Sequence, residues 1–176
     1  MIRAVFALSL ALSLIGAFGP GATARAQDLP EYRLKAAFLY NFALFTEWPA
    51  EVGGTLNLCV VGNDPFGDEL NGLQGKAVGS RSLAVQRKAA GQSGAGCQIV
   101  FVSAQALPGL PRLLEQVKGQ PVLTVADSPG AAQQGVALNM NVVNSRVTFE
   151  ANLRAARAAN LALSSKLLRL ATEVHQ

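Results

Sequence analysis

Few side chains in this sequence could do chemistry. Among 176 residues there is one histidine, His175, in the penultimate position, and there are two cysteines, Cys59 and Cys97. A Ser-His or Cys-His hydrolase needs a nucleophile in reach of an oriented base, and a lone imidazole at a chain end is a poor one. The same scarcity argues against a His-bearing zinc site. The cysteines are not in a C-x-x-C pair, which leaves a thioredoxin-type redox site unsupported. No G-x-G-x-x-G or Walker loop supplies a nucleotide fingerprint. The residues therefore read as a non-enzyme, with no catalytic set, no cofactor and no metal site.

What remains is a group of short polar side chains, Asn63, Asp64, Ser103, Asp127 and Ser128, each at the end of an apolar run. In an open α/β sheet, ligands lodge outside the carboxyl ends of the strands, and helix N-termini there can hold an anion. A small-molecule crevice at these five residues is one reading. The other is that they cap helices and turn the chain, the usual work of Asp, Asn and Ser in such loops. Asp64 and Asp127 as a metal-binding acid pair would rest on two lone carboxylates, which is weak ground.

The elements that would position these residues follow from hydrophobic periodicity. Runs at 56–62 (LNLCVVG), 97–103 (CQIVFVS) and 121–128 (PVLTVADS) read as buried strands, and the alternating 82–88 (SLAVQRK) as a strand nearer an edge. Asp64 and Pro65 suggest the N-cap and first position of a short helix, and 107–118 a second helix. Two further strands, 136–143 and 146–151, flank Asn144-Ser145 as a hairpin turn, and 152–174 reads as a long final helix with the stripe Leu153, Ala156, Leu163, Leu167, Leu170, Val174. The fold class is α/β: a single-domain sandwich with a largely parallel central sheet, a C-terminal antiparallel hairpin and flanking helices.

The first helix, within EYRLKAAFLYNFALFTEWP at 31–49, has two apolar faces. Leu34, Phe38, Phe42 and Phe45 form a stripe suited to the core. Tyr32, Ala36, Leu39, Tyr40 and Ala43 lie on another side. Tyr32, Leu39, Tyr40 and Ala43 are therefore candidates for a protein interface, unless the apolar C-terminal helix covers them. A second candidate surface is Glu150 leading into Arg154 and Arg157, which share a helix face three residues apart; a solvated helix face is the plainer account.

The N-terminus reads as a secretory signal peptide over 1–26, with Arg3, an apolar run at 4–18 and the small-residue site Ala24-Arg25-Ala26, leaving 27–176 as the domain. Of 15 Lys and Arg, Arg3 and Arg25 precede the cleavage point, so 13 face 11 acids, and no basic cluster suggests nucleic acid. An oxidising compartment favours a Cys59–Cys97 disulfide over the alternative of two buried thiols.

Four blocks taken in order, KAAFLYNFALFTEWP, LNLCVVGNDPFGDEL, GCQIVFVS and FEANLRAARAANLALSSKLLRLA, resemble the YfiR family of small periplasmic proteins, also described as YfiR/HmsC-like. The likeness spans about 34–171. It implies a periplasmic repressor that binds the periplasmic sensor domain of an inner-membrane diguanylate cyclase, lowering cyclic-di-GMP output and biofilm formation. It also implies a homodimer whose folding and activity respond to redox state. Cys59 and Cys97 match the family's strand-to-strand pair. A second pair that some members carry near the hairpin is missing here, where the chain reads VALNMNVVNSRVTFEA, and any regulation that depends on it is in doubt.

Overall fold

The computed structural model describes residues 24–176. The apolar run of the expected signal peptide lies outside them. The chain begins with α1 (Ala24–Leu44), β1 (Thr46–Glu47), β2 (Thr55–Val61), the one-turn α2 (Asp68–Asn71), β3 (Ala77–Val78) and β4 (Arg81–Lys88). Then come β5 (Ile99–Val102), a 3-10 helix (Ala104–Gly109) running into α3 (Leu110–Gln116), β6 (Leu123–Ala126), β7 (Leu138–Val143) and β8 (Arg146–Asn152). The last elements are α4 (Leu153–Ala158), β9 (Ala162–Leu163), α5 (Ser165–Leu168) and β10 (Glu173–His175). No described helix is long and apolar enough to cross a membrane.

Eight strands form one sheet in the order β10-β8-β7-β6-β5-β2-β4-β3. Five neighbouring strands, β7, β6, β5, β2 and β4, run parallel, as expected where the inner ones β6, β5 and β2 are buried on both faces. β7 and β8 make the antiparallel hairpin, and Asn144 and Ser145 at its tip both take positive φ (49° and 60°), the backbone that a two-residue type I′ turn requires. Alternate residues of β2 feed two cores. Leu56, Leu58 and Val60 pack beneath α1, whereas Cys59 and Val61 pack beneath the 3-10 helix and α3 with Val100, Val102, Leu110 and Leu113. The α/β sandwich is thus three layers, with the sheet in the middle.

The rotation of α1 differs from the expected one. Leu39 and Ala43 are fully buried and Ala36 nearly so, whereas Leu34 is 44% exposed. The sheet therefore takes the arc first assigned to an interface. Of the supposed core stripe only Phe42 is fully buried, with Phe38 and Phe45 half-buried beside it. The reason is Lys35, whose buried head (described below) points the Lys35–Ala36–Leu39–Ala43 arc inward. Leu39 and Ala43 consequently have no surface to offer a partner.

The expected long final helix is broken. After α4 the chain turns at Asn160 (φ 55°), with Asn160 N–H bonding to Arg157 O and Leu161 N–H to Ala156 O, both at 3.0 Å. This is the Schellman pattern, with asparagine in the left-handed position usually given to glycine. β9 then pairs with β1, and Ser164 restarts the helix by accepting from the Leu167 N–H at 3.2 Å. Leu153, Ala156, Leu163 and Leu167 are buried as the stripe implies, but Leu170 is 68% exposed and Val174 belongs to a strand. The predicted helix after Asp64 is likewise only the single turn α2, because Gly67 adopts φ 55° just before it.

Cys59 and Cys97 form a disulfide 38 residues apart, in the core beneath α3. Replacing both with alanine is expected to lower unfolding free energy by about 4 kcal/mol in the chain-entropy model. Urea denaturation of the oxidised protein and the double variant tests this; equal midpoints would show that the crosslink does not constrain the unfolded chain.

Candidate functional site

The parallel register aligns Val61 with Val102 and Val102 with Ala126. The residues that follow, Gly62, Ser103 and Asp127, therefore line one ledge at the carboxyl ends of three adjacent strands, where a ligand crevice was expected. Gly62 has φ +98°, and a Cβ there would stand 2.2 Å from Ser103 Oγ, so only glycine fits beside that serine. Ser103 donates its backbone N–H to Val61 O at 3.1 Å. Its hydroxyl is buried with no hydrogen-bond partner among the described residues.

The middle of α1 closes the Asp127 end of the ledge. Lys35 Nζ donates to Asp127 Oδ2 at 2.7 Å, and Tyr32 OH donates to the same oxygen at 3.1 Å. Both charged side chains of this pair are almost solvent-free, 4% exposed for Lys35 and 6% for Asp127. Glu31, one helical turn before Lys35, is its second carboxylate. The ammonium also lies 4.5 Å from the centre of the Tyr32 ring, and that ring meets Phe66 edge-on, which in turn meets Phe101. Burial pushes the Tyr32 phenol up to about 12, with the Asp127 charge adding to the effect. For Lys35 burial works downward, but the hydrogen bonds it donates to Asp127 and Glu31 outweigh it and hold the ammonium above the ordinary lysine value.

The other crevice residues are engaged separately. Asp64 accepts from Phe66 N–H at 2.8 Å and from Arg87 Nε at 2.6 Å, so it makes a local turn and an ion pair instead of capping a helix. Asn63 N–H donates to Gln105 Oε1 at 3.1 Å, and Ser128 N–H donates to Asn139 Oδ1 at 3.2 Å. Asp64 and Asp127 thus have different cationic partners and do not form an acid pair. Ser103 and Asp127 are brought together on the ledge.

At the second candidate surface, Glu150 projects from the sheet face opposite to that of Phe149 and Ala151, which enter the core under α1. Its carboxylate accepts from Asn141 Nδ2 at 2.6 Å and from Gln133 Nε2 at 3.4 Å, and it sits 3.2 Å from His175 Nε2. Asn152 caps α4 by accepting from the Ala155 N–H at 2.9 Å. Arg154 and Arg157 are exposed on α4, and none of the ion pairs among the described residues uses either. The structure therefore does not join Glu150 to the two arginines.

On α1, Tyr32 and Tyr40 are half-buried, and the Tyr40 hydroxyl donates to Ala77 O at 2.8 Å. The apolar residues that do reach solvent there are Leu34 and Leu44, with Phe38 beside them packed on Phe149. Sequence reasoning missed Lys35, Leu44 and His175 as informative. A lysine one turn after Glu31, on the arc otherwise occupied by Ala36 and Leu39, was the available signal for the first. In comparison with known families, a family model described as YfiR/HmsC-like matches residues 32–172.

Tyr32 and Lys35 both hold their protons more tightly in the folded than in the unfolded chain. Their contribution to stability is therefore complete below the ordinary values of 10.0 and 10.5 and is lost as pH rises through the folded ones, near 12 for Tyr32. Urea unfolding from about pH 8 to about pH 12 is expected to show falling stability above about pH 10, with a shallower fall in Tyr32→Phe. A flat profile over that range would contradict the closed ledge.

Proposed function

Because the chain belongs to the YfiR/HmsC-like family, we propose that it is a periplasmic regulator of cyclic-di-GMP signalling. It is a non-enzymatic repressor that binds the periplasmic sensor domain of an inner-membrane diguanylate cyclase and so restrains cyclic-di-GMP synthesis and biofilm formation. The family match over residues 32–172 carries this reading. Export through the leader at 1–26 and a homodimer belong to the same proposal. Regulation is by occupancy: bound protein favours the off conformation of the partner's sensor domain, and release shifts that population.

The geometry favours outer faces over the ledge as the place of contact, since α1 occupies the Asp127 end of the ledge with its own Tyr32 and Lys35. The apolar outer face of α1, with Leu34 at 44% and Leu44 at 39% exposure, is the proposed contact, and the exposed Arg154 and Arg157 on α4 are a second, charged surface. Calorimetric titration of the protein into the periplasmic domain of a diguanylate cyclase from the same genome is expected to give micromolar or tighter binding. Leu34→Glu with Leu44→Glu should weaken it at least about tenfold, equal to about 1.4 kcal/mol, without unfolding the chain. Unchanged affinity in the folded double variant removes the α1 face from the proposal, and no complex with folded wild type removes the repressor.

One observation favours a second reading, a small-ligand sensor at the ledge: the buried Ser103 hydroxyl has no hydrogen-bond partner among the described residues. Under it, a panel of small organic anions and amino acids contains a compound that raises the melting temperature of the wild type and not of Ser103→Ala. Equal shifts in both proteins, or none, would dismiss the ledge.

A further inference from the structure

We propose that the paired edge strands β8 and β10 carry a binding site for a divalent metal ion of the zinc type, with His175, Glu150 and Glu173 as ligands. The inference rests on this chain alone and is independent of the repressor reading.

Strand pairing assembles the site. β10 runs parallel to β8 with Glu173 opposite Glu150 and His175 opposite Asn152. Two carboxylates directly across a strand pair repel each other. His175, two residues after Glu173, lies on the same face of β10, and its ring fills the space between them. Nε2 is 3.2 Å from Glu150 Oε2, and Nδ1 is 3.4 Å from Glu173 Oε1. One ligand atom from each residue lies within 4.8 Å of the other two, and among the described residues this is the group of His, Cys, Asp and Glu so arranged. Metal bonds of about 2.0–2.2 Å set tetrahedral ligands about 3.5 Å apart, and because one ring nitrogen alone binds the ion, the carboxylate facing the other nitrogen has to swing round to complete the set.

The surroundings suit a metal as well as the ligands do. Asn141 Nδ2 donates to Glu150 Oε1 at 2.6 Å and Gln133 Nε2 donates to Oε2 at 3.4 Å, and together they orient that carboxylate as outer-shell partners of a metal ligand do. Asn139, fully buried, donates to Asn141 Oδ1 at 3.3 Å and extends the support into the sheet. Glu150 and His175 are shielded, with side chains 17% and 21% exposed, whereas Glu173 at 62% faces solvent and leaves an approach for the ion. An imidazole with two carboxylates matches zinc and its neighbours better than magnesium or calcium, which prefer oxygen alone, or copper(I), which prefers sulfur. Three protein ligands leave a fourth position for water or for a side chain of another protein. A bound ion would fasten the three-residue β10 to β8.

The test is calorimetric titration of Zn2+ into untagged, metal-stripped protein at about pH 7.5, with thermal melts alongside. One ion per chain at micromolar or tighter affinity is expected, with a melting temperature that rises with zinc. Binding should fall at least about tenfold in His175→Ala and in Glu173→Gln. Glu173 is exposed, so its variant keeps the fold and the test intact. No binding, or binding that both variants retain, overturns the site.

Discussion

A buried ammonium has to be neutralised where it sits, and Lys35 finds its counterion at the end of β6. The contact with Asp127 joins the first element of the fold to the middle of the sheet, 92 residues later in the chain. A pair of this kind adds little net stability against an apolar replacement, yet removing one member leaves a solvent-starved charge at a cost of about 3–5 kcal/mol. Its structural effect is to set the roll of α1. With Lys35 held inward, Ala36, Leu39 and Ala43 must face the sheet, and Leu34 and Leu44 must face out.

That roll decides what the strand ends can do. The ledge of Gly62, Ser103 and Asp127 lies where α/β proteins commonly hold ligands, but here the chain's own phenol and ammonium occupy its Asp127 end. Closing the ledge moves the surfaces left for recognition to the outside: the far face of α1, the arginines of α4 and the polar group around Glu150. The proposed control by association is in keeping with membership of the YfiR/HmsC-like family.

Much of the architecture was legible because buried parallel strands leave a strong signal. β2, β5 and β6 are short, predominantly apolar runs, and both their faces are covered by helices. The cysteine pair was legible too, since two cysteines permit one connectivity. The C-terminal segment was not. Its i, i+3, i+4 pattern is satisfied by α4 and α5 as separate pieces, because periodicity counts which residues are apolar and is blind to a single left-handed residue such as Asn160. The short β9 and β10 are strands only because β1 and β8 lie beside them.

The sequence by itself determined the class of fold, the apolar strands of the sheet, the disulfide and the hairpin turn, since these follow from local hydrophobicity, a two-member cysteine set and the backbone freedom of Asn144. Tertiary structure alone decided which face of α1 is buried, where the final helix breaks, and which polar groups meet. Lys35 with Asp127, and His175 with Glu150, are separated by long stretches of chain, and no local pattern in either segment specifies the other. Such pairs exist only after strand order and register are set, because electrostatic and hydrogen-bond contacts act over a few ångströms of space and take no account of sequence separation.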